Sequence, residues 1–559
     1  MPLEWGIDLG PHGPQAPRRR SRESHKPPRP RPGARLSGRH IRDGDPLSIW
    51  GDALLEQGRA ARRQSLRDGR RGQRASRRGR SAHALGGRAG LQHHRRVSRT
   101  SKADLAIRGA IVVSDGAYAR DILIRDGRVS ALVEAGASTA EDEIDARGLF
   151  ALPGVVDAHV HFNEPGRTHW EGWSSGSRAA AAGGTTTVLD MPLNSVPAVL
   201  DGASFDAKKS AAAAASIVDF GLWGGLVDAD QRRLRELADR GAVGVKAFLC
   251  DSGVPEFPAL GDDDLVPAMR AAADSGLLVA LHCEDEELVR EATARVRGAG
   301  RRDSGAWGAS RPPLVEIRAV ARACAAAREA GARIHVVHLS AVEALGAIGA
   351  ARDMGTDVTA ETCPHYLTFE EDDLTERGSA LKCAPPIRDR RNRDGLWRAL
   401  LDGKIDLVAS DHSPCTRELK RSEDIFGAWG GVAGAQSLLA AVFTGATERA
   451  GSGFDVRKTA GFVAWRLAVR PAKRFGLWPR KGAIAQGSDA DVVLFDPERE
   501  WTLGRDASQT RGIDPYVGRS FRGKAVRTLV AGRTVYNERE AVTDPPHGRF
   551  IERGDMAEG

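Results

Sequence analysis

The sequence predicts an α/β fold: a (β/α)8 barrel with a small β-sandwich domain built from both flanks of the barrel. Eight apolar runs alternate with helix-like segments over residues 155–411, and shorter strand-like runs lie on either side. Most of the eight runs are continuous, as is typical of parallel strands covered on both faces. An open doubly wound sheet is the alternative, but no G-x-G-x-x-G motif opens the first helix.

The eight apolar runs supply the expected barrel strands in order along the chain. They cover residues 155–161, 185–191, 218–226, 242–250, 277–283, 334–340, 357–363 and 405–411. Between them, segments rich in Ala, Arg and Glu show helical spacing, and glycines mark several of their ends. Eight strand–helix repeats of this length predict a closed barrel with insertions.

Both flanks of the barrel show the pattern of short strands, at 105–108, 122–129, 490–495 and 526–536. Asp126-Gly127 and Ala531-Gly532 are candidates for the turns between such strands. We therefore expect residues 101–150 and 478–545 to form the two parts of one β-sandwich, with the barrel over 151–477 and a C-terminal tail over 546–559.

The first 100 residues differ in composition from the rest. They hold 24 Lys and Arg against 8 Asp and Glu, whereas the remainder holds 58 against 66, so the net charge of +8 conceals a mildly acidic body. Apolar periodicity is nearly absent from residues 1–100, which predicts a disordered extension rich in Arg and Pro. We expect a misassigned translation start; the alternatives are a basic arm for nucleic acid or an anionic membrane, and a long targeting peptide.

All six cysteines lie in the acidic body, and none belongs to a C-x-x-C pair. Most fall inside expected strands or beside motif residues, which predicts reduced thiols and a cytoplasmic protein. No stretch approaches 18 uninterrupted apolar residues, and the N-terminus lacks the apolar core of a secretory signal. We therefore expect neither a membrane nor a nucleic-acid partner for the body.

The most informative motif is Asp157-Ala158-His159-Val160-His161, at the end of the first apolar run. Residues two apart in a strand point to the same side, so His159 and His161 present two imidazoles together. A divalent metal needs such a pair as its first two ligands. For this motif alone, two core or surface histidines that alternate by chance are the alternative.

The carboxyl ends of barrel strands carry the functional residues. Here those ends hold Lys246 on the fourth strand, His282 on the fifth, His338 on the sixth and Asp411 on the eighth. Each has an ordinary alternative, namely a lysine that reaches solvent or an acid, a core histidine, or a helix cap. Six such groups at one mouth favour a shared metal site. The other imidazoles of this region are interpreted as structural or supporting: His335, His365 and His412.

Lys246 lies in an otherwise apolar run. Desolvation there lowers the pKa of an ammonium group and exposes a nucleophilic amine. A neutral amine can react with carbon dioxide to give a carbamate, which turns a cation into a bridging carboxylate. A carboxylate that closes a buried strand, as Asp411 does, is suited to act as metal ligand and proton carrier.

These motifs resemble those of the cyclic amidohydrolases, most closely the allantoinase subfamily, over residues 101–545. The matching segments are HVHFNEPGRT at 159–168, KAFLCDSG at 246–253, ETCPHY at 361–366, KCAPPIR at 382–388, SDHSPC at 410–415 and AWGG at 428–431. The segments 163–166 and 250–253 favour allantoinases over dihydropyrimidinases. Dihydroorotases usually have an arginine where this chain has Asn163.

The resemblance implies two divalent metal ions per subunit, usually Zn²⁺, with Co²⁺, Mn²⁺ or Ni²⁺ as alternatives. The implied ligands are His159, His161, His282, His338 and Asp411, together with Lys246 as an N6-carboxylated bridge. The implied reaction is hydrolysis of the cyclic amide of allantoin to allantoate, a step of purine catabolism. A metal-bridging hydroxide is expected to attack the ring carbonyl, with Asp411 as general acid and base.

Four residues that follow strand ends are expected to shape the substrate pocket, partly through backbone groups: Asn163, Ser252, Ala384 and Ser413. The resemblance also implies a homotetramer and a small-molecule substrate. A hydantoinase or dihydropyrimidinase, and then a dihydroorotase, are the alternative enzymes with the same metal chemistry. A catalytically inactive scaffold of this fold is the alternative outside enzymology, but it should lack several ligands, and all six positions are filled here.

Overall fold

The computed structural model describes residues 102–554, apart from 115, 137–138, 541 and 543–544. The extension over 1–100, with its expected disorder, lies outside the described residues. Within them the strands are β1 (Ala103–Val113), β2 (Ala117–Arg125), β3 (Arg128–Val133), β4 (Ala140–Asp145), β5 (Phe150–Pro153), β6 (Val155–Val160), β7 (Thr185–Asp190), β8 (Asp219–Leu222), β9 (Gly224–Gly225), β10 (Val245–Phe248), β11 (Val279–His282), β12 (Ile334–Val336), β13 (Val358–Thr362), β14 (Leu407–Val408), β15 (Val492–Thr502), β16 (Ser520–Val530) and β17 (Arg533–Asn537).

The α-helices lie mostly between the middle strands. They are Trp173–Ala182, Gly202–Ala215, Gln231–Asp239, Asp262–Asp274, Glu286–Gly298, Ser304–Ala309, Pro313–Ala330, Leu345–Asp353, Pro364–Thr368, Asp373–Arg377, Arg390–Leu401, Arg417–Lys420, Leu438–Ala450, Val456–Ala464 and Arg470–Arg474. Among these helices, none combines the length and the apolar character needed to cross a bilayer. All six cysteines are buried and free.

Strands β6 to β14 form the predicted parallel barrel, with β8 and β9 together making its third strand. Each strand pairs with its successor in the chain. The ring closes between the last and first strands, where His412 pairs with Val160 and the His161 amide donates to the His412 carbonyl at 2.7 Å. Closure confirms the barrel, and the open doubly wound sheet is wrong.

Burial on both faces explains the continuous apolar runs of the barrel strands. Every residue of β6, β7, β10, β11 and β13 is buried. Helices cover the outer face. The helix Pro313–Ala330, for example, buries Val315, Ala319 and Ala323 at helical spacing. This helix begins with a proline, which needs no hydrogen-bond acceptor in the first turn, and ends at Gly331 with a left-handed φ of 67°.

The predicted small β domain is one eight-stranded sheet drawn from both flanks of the barrel. Its strand order is β17-β16-β15-β5-β1-β2-β3, with β4 also paired to β1. The sheet curls back on itself, because the Val129 amide donates to the Ser488 carbonyl at 3.0 Å. Asp126-Gly127 and Ala531-Gly532 form the predicted hairpin turns, and all four residues have positive φ.

The segment 546–559, the expected C-terminal tail, is described as far as 554 and packs along the third barrel strand. Phe550 pairs with Phe220, and the Gly548 amide donates to the Ser216 carbonyl at 2.9 Å. Ile551 is fully buried. The domain boundaries stay a prediction; β5 runs across the expected one at residue 150.

A buried charge cluster connects the barrel to the β domain. Lys481 Nζ lies 2.7 Å from Asp491 Oδ2 and 3.1 Å from Asp489 Oδ2, and it also donates to Asp219 of β8. Arg549 from the C-terminal segment reaches Asp219 and Asp489 as well. Because the Lys481 side chain has no exposed surface, its charge is balanced entirely by these carboxylates.

We expect Lys481→Met to lower the free energy of unfolding by about 3–5 kcal/mol, because it leaves buried carboxylates unpaired. The matched control is Lys404→Met, whose partner Asp402 is 3.8 Å away and which is 67% exposed. The Lys404→Met control should lower the free energy of unfolding by less than about 1 kcal/mol. Urea unfolding of both variants measures the difference, and equal losses would contradict a central role for the cluster.

Candidate metal centre

His159 and His161 present their Nε2 atoms to each other, 3.3 Å apart, at the end of β6. His159 Nδ1 donates to Glu361 at 2.6 Å, and His161 Nδ1 donates to the Leu193 carbonyl at 2.9 Å. These bonds place a ring proton on Nδ1 of both imidazoles. The two Nε2 atoms therefore face one another as the available ligand atoms, an arrangement that a cation between them stabilises.

Asp411 completes the first group of ligand atoms. Its Oδ1 lies 3.3 Å from His159 Nε2 and 3.4 Å from His161 Nε2. Burial raises the pKa of this carboxyl, but its interactions with His159 and His161 outweigh burial, so the pKa lies below its usual value. The group is thus an ionised carboxylate beside two imidazoles.

His282 and His338 form a second pair, with His282 Nδ1 and His338 Nε2 only 3.1 Å apart. His282 Nε2 donates to Glu284 at 2.8 Å. The two pairs adjoin, because the ring centroids of His159 and His338 are 5.5 Å apart. Burial lowers the pKa of His159, His282 and His338, which keeps these imidazoles neutral as metal ligands require.

Lys246 is buried in β10 beside the second pair. Its Nζ lies 5.0 Å from the centroid of the Phe248 ring, and that ring stacks on His282 at 4.6 Å. Across the described part of the chain, Nζ has no hydrogen-bond partner. Burial lowers the pKa of Lys246 to about 8, although the charges of Asp411 and Glu361 raise it. A fraction of the amine is therefore neutral near physiological pH.

Left-handed backbone marks the mouth of the barrel. The described non-glycine residues with positive φ are two in hairpin turns and three that follow strand ends: Asn163 at 64°, His338 at 38° and Asp411 at 45°. Such conformations are sparsely populated and concentrate at functional sites. Here they turn the chain sharply where β6, β12 and β14 end.

Sequence reasoning missed two carboxylates that position the imidazoles. Glu361 accepts from both His159 and His335, and Glu284 accepts from His282. Burial raises the pKa of Glu361, but His159 and His335 bring it down to about 2. Both carboxylates had a signal: Glu284 lies two residues after His282, and Glu361 is a charged residue in an expected barrel strand, at the start of the matching segment 361–366.

The imidazoles interpreted as structural have protein partners in two of three cases. His335 bonds to Thr359 and Glu361, and His412 Nδ1 accepts from the amides of Gly434 and Ala435. His365 is buried without such bonds among the described residues.

The four expected substrate residues lie in loops after strand ends. Asn163 Nδ2 donates to the Pro414 carbonyl at 3.2 Å, so the loop of Asn163 adjoins that of Ser413. Ser252 Oγ donates to the Phe257 carbonyl at 2.6 Å within its own loop. Ala384 packs beside the cluster of Trp307 and Phe426. The polar groups of Asn163 and Ser252 are thus already used to shape their loops.

The geometry fits divalent metal ions. Imidazole nitrogens and a carboxylate converge, with ligand atoms of His159, His161 and Asp411 within 4.8 Å of one another. His338 Nδ1 and Lys246 Nζ are buried without hydrogen-bond partners in the described chain. Nitrogen and oxygen donors of this kind suit Zn²⁺ and its first-row neighbours.

The chain is similar to known proteins in sequence and in fold. The sequence profile of the amidohydrolase family matches residues 150–535. An allantoinase of Rubrobacter xylanophilus is 46% identical over 81% of this chain and 98% of that protein, and an allantoinase of Solibacter usitatus is 46% identical over 77% and 93%. The solved structure of an L-hydantoinase (dihydropyrimidinase) from Arthrobacter aurescens superposes with a TM-score of 0.77 at 32% identity, covering 81% of this chain and all of that one. The chain belongs to the amidohydrolase family.

Proposed function

We propose that this chain hydrolyses the cyclic amide bond of allantoin to give allantoate. The observation that carries the proposal is the convergence of His159, His161 and Asp411, whose donor atoms face one another at 3.3–3.4 Å. The 46% identity to two allantoinases, over nearly the whole of each, supports allantoin as the substrate.

The site as proposed holds two divalent ions, with zinc as the first candidate and cobalt, manganese or nickel as alternatives. His159, His161, His282, His338 and Asp411 are the proposed protein ligands, and Lys246 the proposed bridge. When bound, the metals supply a hydroxide at neutral pH and polarise the ring carbonyl.

Lys246 is proposed to become an N6-carboxylysine before it bridges the ions. Its neutral amine forms a bond to the carbon of carbon dioxide, and one proton leaves to solvent, so a carbamate anion results. Burial without a carboxylate partner supports this step, because it keeps part of the amine neutral. Lys208 is a contrast: it is equally buried, but it has a carboxylate partner in Asp190, 2.9 Å away.

Asp411 is the proposed general base and acid. Its carboxylate takes the proton of the attacking hydroxide and returns it to the ring nitrogen that leaves. Its position beside both imidazoles of β6 supports this role, since it stands where the nucleophile must form.

Asn163, Ser252, Ala384 and Ser413 are proposed to shape the ring pocket, largely through backbone groups.

A hydantoinase or dihydropyrimidinase is the second candidate, favoured by the fold shared with the Arthrobacter aurescens enzyme. Lower identity, 32% against 46%, makes it the weaker one. A homotetramer in the cytoplasm stays a prediction from the family resemblance, to be checked by light scattering and by fractionation of native cells.

Side-by-side assay of the metal-loaded protein on allantoin, hydantoin, dihydrouracil and dihydroorotate tests the substrate. We expect allantoin to give the highest kcat/KM by at least about tenfold, a difference of roughly 1.4 kcal/mol in transition-state binding. A chelator should abolish hydrolysis, and added Zn²⁺ or Co²⁺ should restore it. A higher kcat/KM for hydantoin or dihydrouracil would instead support the second candidate, a hydantoinase or dihydropyrimidinase.

Asp411→Asn should lower kcat by about 10²–10⁴, because the amide cannot accept the proton. Metal content must be measured in the same sample, since asparagine retains an oxygen donor and the comparison needs a loaded site. Asp353→Asn, on an exposed helix end, is the control and should leave kcat unchanged. Full activity of a loaded Asp411→Asn protein would exclude the proton-transfer role.

Native mass spectrometry in bicarbonate buffer should show one added carbon dioxide on each wild-type chain. Lys246→Met should lack this mass and bind less metal, because the bridge is gone. Lys208→Met serves as control, since its loss should leave the added mass in place. An unmodified wild-type chain that holds two ions would contradict the carbamate.

A further inference from the structure

A second group of donor atoms lies beside the candidate metal centre, after the seventh barrel strand. A ligand atom from each of Cys363, His365 and Asp411 lies within 4.8 Å of the others, and all three residues are buried. Zinc binds sulfur at about 2.3 Å and nitrogen at about 2.1 Å, so ligands on opposite sides of an ion stand about 4.4 Å apart. The three groups therefore surround a space of nearly ionic size.

His365 is the independent observation that points to a ligand. Its side chain has no exposed surface, and neither ring nitrogen has a hydrogen-bond partner among the described residues. Buried polar groups in native proteins are nearly always satisfied, as both ring nitrogens of His335 are here. The helix Pro364–Thr368 holds His365 next to the strand that ends at Thr362, so the ring stays beside Cys363 and Asp411.

We propose that Cys363, His365 and Asp411 form a further site for a borderline or soft divalent ion such as Zn²⁺, and that its occupation inhibits the enzyme. This inference rests on the proposed role of Asp411 as proton carrier. Sulfur, nitrogen and oxygen donors together favour zinc over magnesium, calcium or manganese. Binding releases the thiol proton of Cys363 to solvent, so that the ion is held by a thiolate.

The ion has a route to this site through the mouth of the barrel. The Asp411 side chain is 12% exposed there, whereas Cys363 and His365 lie behind it with no exposed surface. A carboxylate has two oxygens, and Oδ1 faces His159 and His161. An ion bound between Cys363 and Asp411 occupies the electron pair of the Asp411 carboxylate. Asp411 needs that electron pair to accept a proton. Zinc should thus activate when it fills the catalytic centre and inhibit in excess.

Cobalt separates the two kinds of site, because only a thiolate ligand gives a sulfur-to-cobalt charge-transfer band. The proposed catalytic ligands contain no sulfur, so the band cannot come from the catalytic centre. Protein already holding its catalytic metals is titrated with Co²⁺, and absorbance and bound metal are recorded. The variants are Cys363→Ser and His365→Asn. Cys250→Ser is the matched control, since Cys250 belongs to the other cysteine-containing donor group, with His282 and Glu284.

We expect one extra ion and a charge-transfer band in wild type and in Cys250→Ser, and neither in Cys363→Ser. His365→Asn should weaken the band and raise the Co²⁺ concentration for half-saturation at least about tenfold, so either variant suffices if the other misfolds. The Zn²⁺ concentration for half-inhibition should rise in both variants, and further in Cys363→Ser than in His365→Asn.

A wild-type protein without the band, or a band that persists in Cys363→Ser, overturns the proposal. A band lost only in Cys250→Ser moves the ion to the other donor group and also overturns it. The optical result does not depend on the substrate, so a failure to hydrolyse allantoin leaves this test intact.

Discussion

The Glu361 carboxylate is the interaction on which the geometry of the site depends. It accepts from His159 at 2.6 Å and from His335 at 3.1 Å, and thereby joins the first, sixth and seventh barrel strands at the level of the mouth. The bond to His159 directs the Nε2 atom of that ring toward His161 and Asp411. Because this carboxylate is buried, rotation away from its imidazole partners would leave a bare charge in a medium that solvates it poorly. The ring orientation is therefore held by electrostatics rather than by packing alone.

Burial has opposite consequences for the different groups around this carboxylate. It keeps the imidazoles neutral and lowers the pKa of Lys246, while the neighbouring imidazoles keep Asp411 ionised. The mouth of the barrel, where the dielectric constant is low, thus contains imidazole and carboxylate groups able to bind cations. It also contains an amine able to react with carbon dioxide.

The barrel could be predicted because its strands are apolar on both faces. This pattern is visible in the sequence of each strand, without knowledge of which strands lie beside it. The ligand candidates followed from the rule that strand ends carry function, as with His282 and Asp411. Glu361 could not be found in this way, since its importance lies in a contact 202 residues distant along the chain with His159. The carbonyl of Leu193, which fixes His161, has no signal in side-chain identity at all.

The sequence predicted a β domain built from both flanks of the barrel. It did not predict the register in which the strands of this curled sheet pair. Hairpins such as Asp126-Gly127 are local and appear in the residue pattern. The pairing of β5 with β15, from Phe150 with Phe495 to Pro153 with Val492, depends on how the barrel brings its two ends together. Short strands that alternate in polarity carry little information about distant partners.

This pairing has a consequence for synthesis on the ribosome. Until β15 is made, the β5 edge emerges unpaired and offers free amide and carbonyl groups to any passing strand. More than three hundred residues separate the two edges, so the nascent chain must complete the entire barrel before that edge is covered. The β5 edge therefore stays open to pairing with strands of other chains for as long as the barrel segment is being synthesised.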